Sequence, residues 1–153
     1  MLVLSRRSQE SVVVGGHNPL ETMLKVTVLD KLVSGHRAAV NDQAELVQGD
    51  VRDEETLHRL LAGHNFQGVI NFSGYIQAGE SVHQPGRYFA NNISGTIALL
   101  NAMVAFGVER LVFSSSAAVY GNPETVPILE SAPMRPVNPY GETKAAVERI
   151  LPW

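Results

Sequence analysis

The sequence predicts an α/β fold in which crossover helices enclose a doubly wound parallel sheet. Two observations support this prediction: short apolar runs alternate with helix-like stretches along the chain, and the runs are continuously apolar. Continuous apolar runs are typical of strands that helices bury on both faces. Of the 153 residues, 44% are hydrophobic and 18% are charged, which is a composition that can bury a core. We therefore expect one domain over residues 1–153.

Five strands and three helices are predicted. The strands cover residues 12–14, 25–29, 45–48, 68–72 and 111–115. Asp53 is a suitable N-cap for a helix through Leu61, and a long apolar stripe predicts a helix over residues 87–106, followed by a capping Gly107. Pro139 begins the last predicted helix, which continues to Leu151.

The connection between the first two strands is unusually short. Gly15 and Gly16 begin a glycine-rich turn, but no later glycine of a phosphate-binding fingerprint follows them before the second strand. Residues 17–25 leave little chain for a crossover, which with its helix needs at least about 10–12 residues. We expect the first βαβ crossover to be shortened and to be a poor cradle for a phosphate.

Composition excludes several classes of function. The net charge is −3 and no basic block is present, which argues against nucleic acid and anionic membranes as partners. Without cysteine, the chain has no disulfide and no thiolate chemistry. No apolar run is long enough for a membrane helix, and the five histidines lack metal-ligand spacing, so we expect a cytoplasmic protein without a metal.

Tyr140 and Lys144 are four residues apart in the last predicted helix, which places both side chains on one face. An ammonium beside a phenol favours the phenolate, and the pair can then serve as a general base. Ser116 is the last of three serines at the end of the fifth predicted strand. Because ligands of such sheets bind at the carboxyl ends of the strands, one of these serines is expected to bind a substrate hydroxyl near the phenolate.

Two motifs carry a resemblance to a known family. Residues 114–121 read SSSAAVYG, and residues 139–144 read PYGETK. Together they resemble the extended subgroup of the short-chain dehydrogenase/reductase family, which acts on nucleotide sugars. A third string is similar to that of the UDP-glucose 4-epimerases in particular; it consists of GESV at 79–82, Pro85, Tyr88, Asn91, Asn92, Gly95 and Thr96. The resemblance covers residues 26–151.

The resemblance implies a Rossmann-like NAD-binding domain and an isomerase of galactose metabolism that interconverts UDP-galactose and UDP-glucose. Tyr140 is then the base for the sugar 4-hydroxyl, Lys144 holds the nicotinamide ribose, and Ser116 binds the reacting hydroxyl. It further implies a carboxyl-terminal substrate domain that is absent from this sequence, so we expect a truncated fold. Helices over residues 87–106 and 139–151 are the expected contacts of a homodimer.

The cofactor is expected to be NAD. Asp30 ends the second predicted strand, where a carboxylate can bind the adenosine ribose and disfavour a 2′-phosphate. The resemblance implies further cofactor contacts from three segments and Asn91. These residues are Lys31, Ser34 and Gly35 after the second strand, Asp50 and Val51 after the third, and Phe72, Ser73, Gly74, Tyr75 and Ile76 at and after the fourth.

Two alternatives to the epimerase remain open. A sugar-nucleotide dehydratase often carries an acid–base pair next to its catalytic serine, whereas Ala117 and Ala118 follow Ser116 here. An inactive fragment or a non-catalytic nucleotide-binding module would agree with the shortened crossover, although a module leaves Tyr140 and Lys144 without a role.

Overall fold

The computed structural model describes residues 10–15, 25–33 and 35–153. The chain divides into two compact units, one within residues 1–74 and 95–114 and the other within residues 75–94 and 115–153. Ser34 and residues 16–24, which include most of the predicted first connection, lie outside the described residues. Within the described part of the chain, no helix is both long enough and apolar enough to cross a membrane.

The first unit contains a five-stranded sheet with the strand order β3-β2-β1-β4-β5. Its strands are β1 Glu10–Gly15, β2 Lys25–Asp30, β3 Glu45–Gln48, β4 Phe66–Phe72 and β5 Leu111–Phe113. Each of the five predicted strands is present. β2 pairs with β3, and β4 pairs with β5, in the predicted parallel direction.

One strand corrects the expectation of an entirely parallel sheet. β1 runs antiparallel to both of its neighbours, with Val12 opposite Val28 of β2 and opposite Ile70 of β4. Antiparallel neighbours can be joined by a short connection, whereas parallel strands need a crossover of about a dozen residues or more. The small separation of Gly15 and Lys25 in the sequence suits an antiparallel pair, for which no βαβ crossover is required.

Helices α1 (Glu54–Ala62) and α4 (Gly95–Ala105) contribute to the core of the first unit. The buried residues of each helix recur at helical spacing and therefore lie on one side of that helix. The core cluster includes Leu57, Leu60 and Leu61 of α1, Leu99, Ala102 and Met103 of α4, and Leu29, Phe66 and Val69 of the sheet.

The predicted ends of these two helices are confirmed. The Asp53 carboxylate accepts a hydrogen bond from the Glu55 N–H at 3.1 Å, as an N-cap does. At the end of α4, Gly107 has a φ of 66°, which glycine adopts without strain. The Val108 N–H donates to the Met103 carbonyl at 2.9 Å, completing a Schellman-type C-cap.

The second unit is mainly helical. It contains α2 Ala78–His83, α3 Pro85–Tyr88, a π-helical turn at Phe89–Ser94, a 3₁₀ turn at Ala117–Tyr120, and α5 Pro139–Ile150. The helix predicted over residues 87–106 is thus a helical run through α3, the π turn and α4. Asn138 caps α5 by accepting a hydrogen bond from the Gly141 N–H at 2.8 Å, and Pro139 occupies its first turn as predicted.

Candidate active site

Helix α5 carries the predicted base and its partner. Tyr140 and Lys144 are one helical turn apart, and Glu148 is one turn further along the same face. Only 3% of Lys144 is exposed, and this burial lowers the pKa of its ammonium to about 8. At neutral pH the side chain still carries its charge, which is the form that binds a ribose hydroxyl and attracts a phenolate.

Both the N–H and the carbonyl of Tyr140 form hydrogen bonds with side-chain hydroxyls. Its N–H lies in the first turn of α5, where no intrahelical partner exists, and it donates to the Ser81 hydroxyl of α2 at 3.1 Å. Its carbonyl accepts a hydrogen bond from the Thr143 hydroxyl at 2.7 Å. Both Ser81 and Thr143 are fully buried. The start of α5 is therefore fixed by side chains for which the sequence alone predicted no role.

The segment that carries Ser116 packs on the first turn of α5. Ser116 caps the 3₁₀ turn, because its hydroxyl accepts a hydrogen bond from the Ala118 N–H at 3.2 Å. A Cβ placed on Gly141 would lie 2.5 Å from the Ala118 carbonyl oxygen, so only glycine permits this approach. The structure thereby brings the Ser116 turn against the helical turn of Tyr140.

A second contact joins the same two segments. The Ser115 hydroxyl donates a hydrogen bond to the Glu148 carboxylate. Ser116 is thus flanked by a contact to α5 on each side, from Ser115 to Glu148 and from the Ala118 carbonyl to Gly141.

Asn91 and Asn92 lie in the π turn, and each is 3% exposed. Asn91 donates its side-chain amide to the Asn92 side-chain oxygen at 3.1 Å. Asn92 in turn bonds to the backbone of Tyr75 and to the hydroxyl of Thr143. Single π turns are often found at functional sites, and the sequence did not predict this one.

Tyr75 and Ile76 begin the second unit. The Arg87 guanidinium lies over the Tyr75 ring at 4.2 Å from its centroid, and Arg87 also pairs with Glu80 at 2.7 Å. Glu80 accepts a second hydrogen bond from the buried Tyr88 hydroxyl at 2.7 Å, and burial is the main reason that the pKa of Tyr88 rises to about 12. Ile76 is 49% exposed, so its side chain is accessible to a ligand.

In the first unit, Asp30 has the features expected of a ligand-binding carboxylate. It is buried at the end of β2, and its Oδ1 accepts a hydrogen bond from the Leu32 N–H at 2.5 Å. Its Oδ2 is buried and has no hydrogen-bond partner among the described residues, and burial raises the pKa of the carboxyl. A Cβ on Gly35 would lie 3.1 Å from this oxygen, so the backbone passes close to it.

The other predicted adenosine-side residues are Lys31, Asp50, Val51 and Ser34. Lys31 pairs with Asp50 at 3.4 Å, and the hydrogen bonds from Arg52 hold the pKa of Asp50 well below its usual range. The Val51 side chain lies in the hydrophobic core. Ser34 lies outside the described residues.

Asn71 organises the predicted segment Phe72, Ser73 and Gly74. It is fully buried, and its side-chain oxygen accepts from the Ser73 N–H at 2.9 Å and from the Ser73 hydroxyl at 2.6 Å. Gly74 has a φ of 154°, outside the region that other residues adopt readily. The sequence feature that could have indicated Asn71 is the presence of an asparagine in the otherwise apolar run of residues 68–72.

Two further features of the described residues bear on other ligands. A cleft of about 350 Å³ lies within residues 120–135, and none of the predicted site residues lines it. Across residues 10–15, 25–33 and 35–153, no group of three or more histidine, aspartate or glutamate side chains is arranged to hold a metal ion.

Comparison with known proteins adds independent findings. The family model described as GDP-mannose 4,6 dehydratase matches residues 5–152. A UDP-glucose 4-epimerase of Streptomyces lividans is 50% identical over 128 residues, which are 83% of this chain and 39% of the relative. One of Lacticaseibacillus casei is 46% identical over 128 residues, covering 84% of this chain and 39% of the relative.

Solved structures agree with these relatives. A crystal structure of a UDP-glucose 4-epimerase has a TM-score of 0.83 at 38% identity, covering 85% of this chain and 40% of that chain. The enzyme from Brucella ovis, in complex with NAD, has a TM-score of 0.80 at 38% identity, covering 82% of this chain and 38% of that chain. The predicted Rossmann-like α/β class is confirmed. The chain spans about two fifths of the length of the curated relatives it matches.

Proposed function

Because this chain belongs to the family that the GDP-mannose 4,6 dehydratase model describes, and matches the amino-terminal part of UDP-glucose 4-epimerases, we propose that residues 1–153 form the NAD-binding domain of such an epimerase. The reaction is the interconversion of UDP-galactose and UDP-glucose in the cytoplasm, as a step of galactose metabolism. The observation that carries the proposal is the placement of Tyr140 and a buried, charged Lys144 on one face of α5, against which the Ser116 turn packs.

The residues fit NAD. The buried Asp30 Oδ2, which has no partner among the described residues, suits the hydroxyl donors of an adenosine ribose. A carboxylate at this position repels a 2′-phosphate, which favours NAD over NADP. Lys144 holds the nicotinamide ribose. Further cofactor contacts come from Lys31, Gly35, Asp50, the segment from Phe72 to Ile76, and Asn91.

Each catalytic residue has one task at the sugar. Tyr140, as the phenolate, takes the proton from the 4-hydroxyl and later returns a proton to the same oxygen. Ser116 hydrogen-bonds that oxygen and keeps it directed at Tyr140. Lys144 stabilises the phenolate by its charge, which it retains at pH values below its pKa of about 8. Bound NAD supplies the hydride chemistry at C4.

The test is the conversion of UDP-galactose to UDP-glucose by the purified chain, with Tyr140→Phe as the matched variant. The phenylalanine keeps the ring and removes only the hydroxyl. We expect a loss of turnover of about 100-fold or more, the usual contribution of a general base. Equal turnover by both proteins would refute the proposed role of Tyr140.

A second candidate function is a non-catalytic nucleotide-binding module. It is favoured by the extent of the match, which covers only about two fifths of the relatives' length. NAD binding without any conversion of the sugar nucleotide would assign the chain to this class.

A sugar-nucleotide dehydratase is the third candidate, because the matching family model carries that description. Ala117 and Ala118 follow Ser116 and offer no acid or base beside it. Supplying the chain with GDP-mannose and with UDP-galactose separates the two activities, and we expect turnover of the UDP-sugar only.

We also propose that the protein forms a homodimer through the helical run over residues 87–106 and helix α5. Ile97 and Val104 of α4 are 40% and 83% exposed, which is unfavourable for apolar side chains in water. Light scattering on the eluted protein tests this proposal, and a monomeric mass across the micromolar range would contradict it.

A further inference from the structure

We propose that Asn92 is a positioning residue, which fixes the backbone of Tyr75 to the catalytic helix α5. The inference rests on the proposed function, since it assigns Asn92 the task of holding the cofactor-lining segment in register with Tyr140 and Lys144. Asn92 was not among the residues for which the sequence predicted a role.

The Asn92 side chain forms hydrogen bonds with both the backbone N–H and the backbone carbonyl of Tyr75. Its Oδ1 accepts from the Tyr75 N–H at 2.7 Å, and its Nδ2 donates to the Tyr75 carbonyl at 3.1 Å. This pair of bonds resembles the pairing of one strand with another, and it restricts both the position and the rotation of the Tyr75 peptide groups. The two residues are 17 positions apart in the sequence.

The same amide reaches α5. Asn92 Nδ2 also donates to the Thr143 hydroxyl at 3.0 Å, and that hydroxyl donates to the Tyr140 carbonyl at 2.7 Å. Thr143 precedes Lys144 directly. A chain of three hydrogen bonds therefore runs from the backbone of Tyr75 through Asn92 and Thr143 to the backbone of Tyr140.

The hydrogen-bonding capacity of the Asn92 amide is filled. An asparagine side chain has two N–H donors and two acceptor lone pairs. Both donors and both lone pairs are used, because Oδ1 also accepts from the Asn91 amide at 3.1 Å. Asn92 and Thr143 are 3% and 0% exposed, and a fully satisfied polar network of this kind specifies one arrangement of the groups it joins.

Stability alone gives no reason for an asparagine here. Asparagine is a poor helix former, and a buried amide is costly unless every bond is made. The π turn that contains Asn91 and Asn92 also departs from the regular helix on either side of it. These features are explained if the sequence is selected to hold Tyr75 against α5.

The test uses Asn92→Leu in the full chain, with Asn101→Leu as the control. Leucine keeps the approximate size of the side chain but removes both donors and the oxygen that accepts from the Tyr75 N–H. Asn101 is an exposed asparagine of α4, so the same change there leaves the Tyr75 network intact. The first readout is the hydrogen-exchange rate of the Tyr75 amide without NAD, and the second is the dissociation constant for NAD.

We expect Asn92→Leu to raise the Tyr75 amide exchange rate about tenfold, because the acceptor of that N–H is lost, while the interior amides of α5 keep their protection. We also expect the dissociation constant for NAD to rise about tenfold, since the loss of hydrogen bonds to one segment is of this order. Thr143→Val should produce a smaller change of the same kind, and Thr143→Ser should produce none because the hydroxyl is retained.

Unchanged exchange at Tyr75 in Asn92→Leu would overturn the inference. So would an equal loss of protection along the whole of α5, since that result indicates a general loss of stability. If the wild-type chain does not bind NAD, the proposed function fails, and the exchange comparison still decides whether Asn92 holds Tyr75.

Discussion

Ser115 donates a hydrogen bond to Glu148, which lies two helical turns beyond Tyr140 on α5. The bond joins the end of α5 to the residue that precedes Ser116, across 33 positions of sequence. Together with the close approach of Gly141 to Ala118, it holds the serine segment against the helix at two points. The relative position of Ser116 and Tyr140 therefore depends on residues outside the predicted catalytic set.

A double-mutant cycle should reveal this coupling. We expect Ser115→Ala and Glu148→Ala each to lower the free energy of unfolding, and the double variant to lose less than their sum by about 1–2 kcal/mol. The free energy of unfolding is measured by urea denaturation for the wild type, the two single variants and the double variant. Strict additivity would mean that the hydrogen bond contributes nothing to the link between Ser115 and α5.

Gly141→Ala should destabilise the protein. The new methyl group would lie 2.5 Å from the Ala118 carbonyl oxygen, so α5 or the 3₁₀ turn must move. We expect a loss of about 1–3 kcal/mol, in line with other overpacking substitutions, measured by thermal unfolding. Gly86→Ala in α3 is the control, because nothing lies within 4 Å of its Cβ position; it should leave the stability unchanged or raise it.

Asp30→Asn should have opposite effects on stability and on binding. Burial raises the pKa of Asp30, so the charged form is penalised in the folded state and the carboxylate lowers stability at neutral pH. We expect the NAD-free variant to unfold at a higher temperature than the wild type at pH 7, and the difference to shrink as the pH falls towards 4. We expect the same variant to bind NAD more weakly. A variant that is less stable at pH 7 would show that the buried carboxylate has a structural partner.

The titration of Lys144 should be visible in the pH dependence of stability. Burial lowers its pKa from 10.5 to about 8, so between these values the unfolded chain binds more protons than the folded chain. The contribution of Lys144 to stability therefore rises with pH across this window, by at most about 3 kcal/mol. Urea unfolding at pH 7.5, 9 and 10 should show a smaller rise for Lys144→Met than for the wild type. Parallel curves for the two proteins would contradict the burial of the charged group.

Local patterns predicted much of the fold. β2 and β3 were found within a residue of their predicted ends because their apolar residues are followed closely by Asp30 and by Gly49, respectively. The caps at Asp53 and Gly107 and the place of Pro139 in the first turn of α5 follow from local hydrogen bonding and backbone preference, so the sequence indicated them directly. The direction of β1 could not be predicted, because an apolar run has the same appearance in parallel and antiparallel pairs.

The sequence indicated Tyr140 and Lys144 as candidate catalytic residues, but it did not indicate the residues that hydrogen-bond to their helix. Tyr140 and Lys144 have a spacing that is visible in the sequence. Asn92 and Ser81 act on residues of α5 that are 51 and 59 positions away, and nothing in their local sequence indicates these partners. The π turn was missed for a similar reason, since residues 87–106 have the apolar spacing of an ordinary helix.

Calorimetric titration of the purified chain with NAD and with NADP tests the central claim most directly. We predict that NAD binds and that NADP binds at least about tenfold more weakly, because the buried Asp30 carboxylate accepts ribose hydroxyls and repels a phosphate. The Lys144→Met variant should bind NAD more weakly than the wild-type chain does. A chain that binds neither nucleotide, or that prefers NADP, would contradict the assignment of residues 1–153 as an NAD-binding epimerase domain.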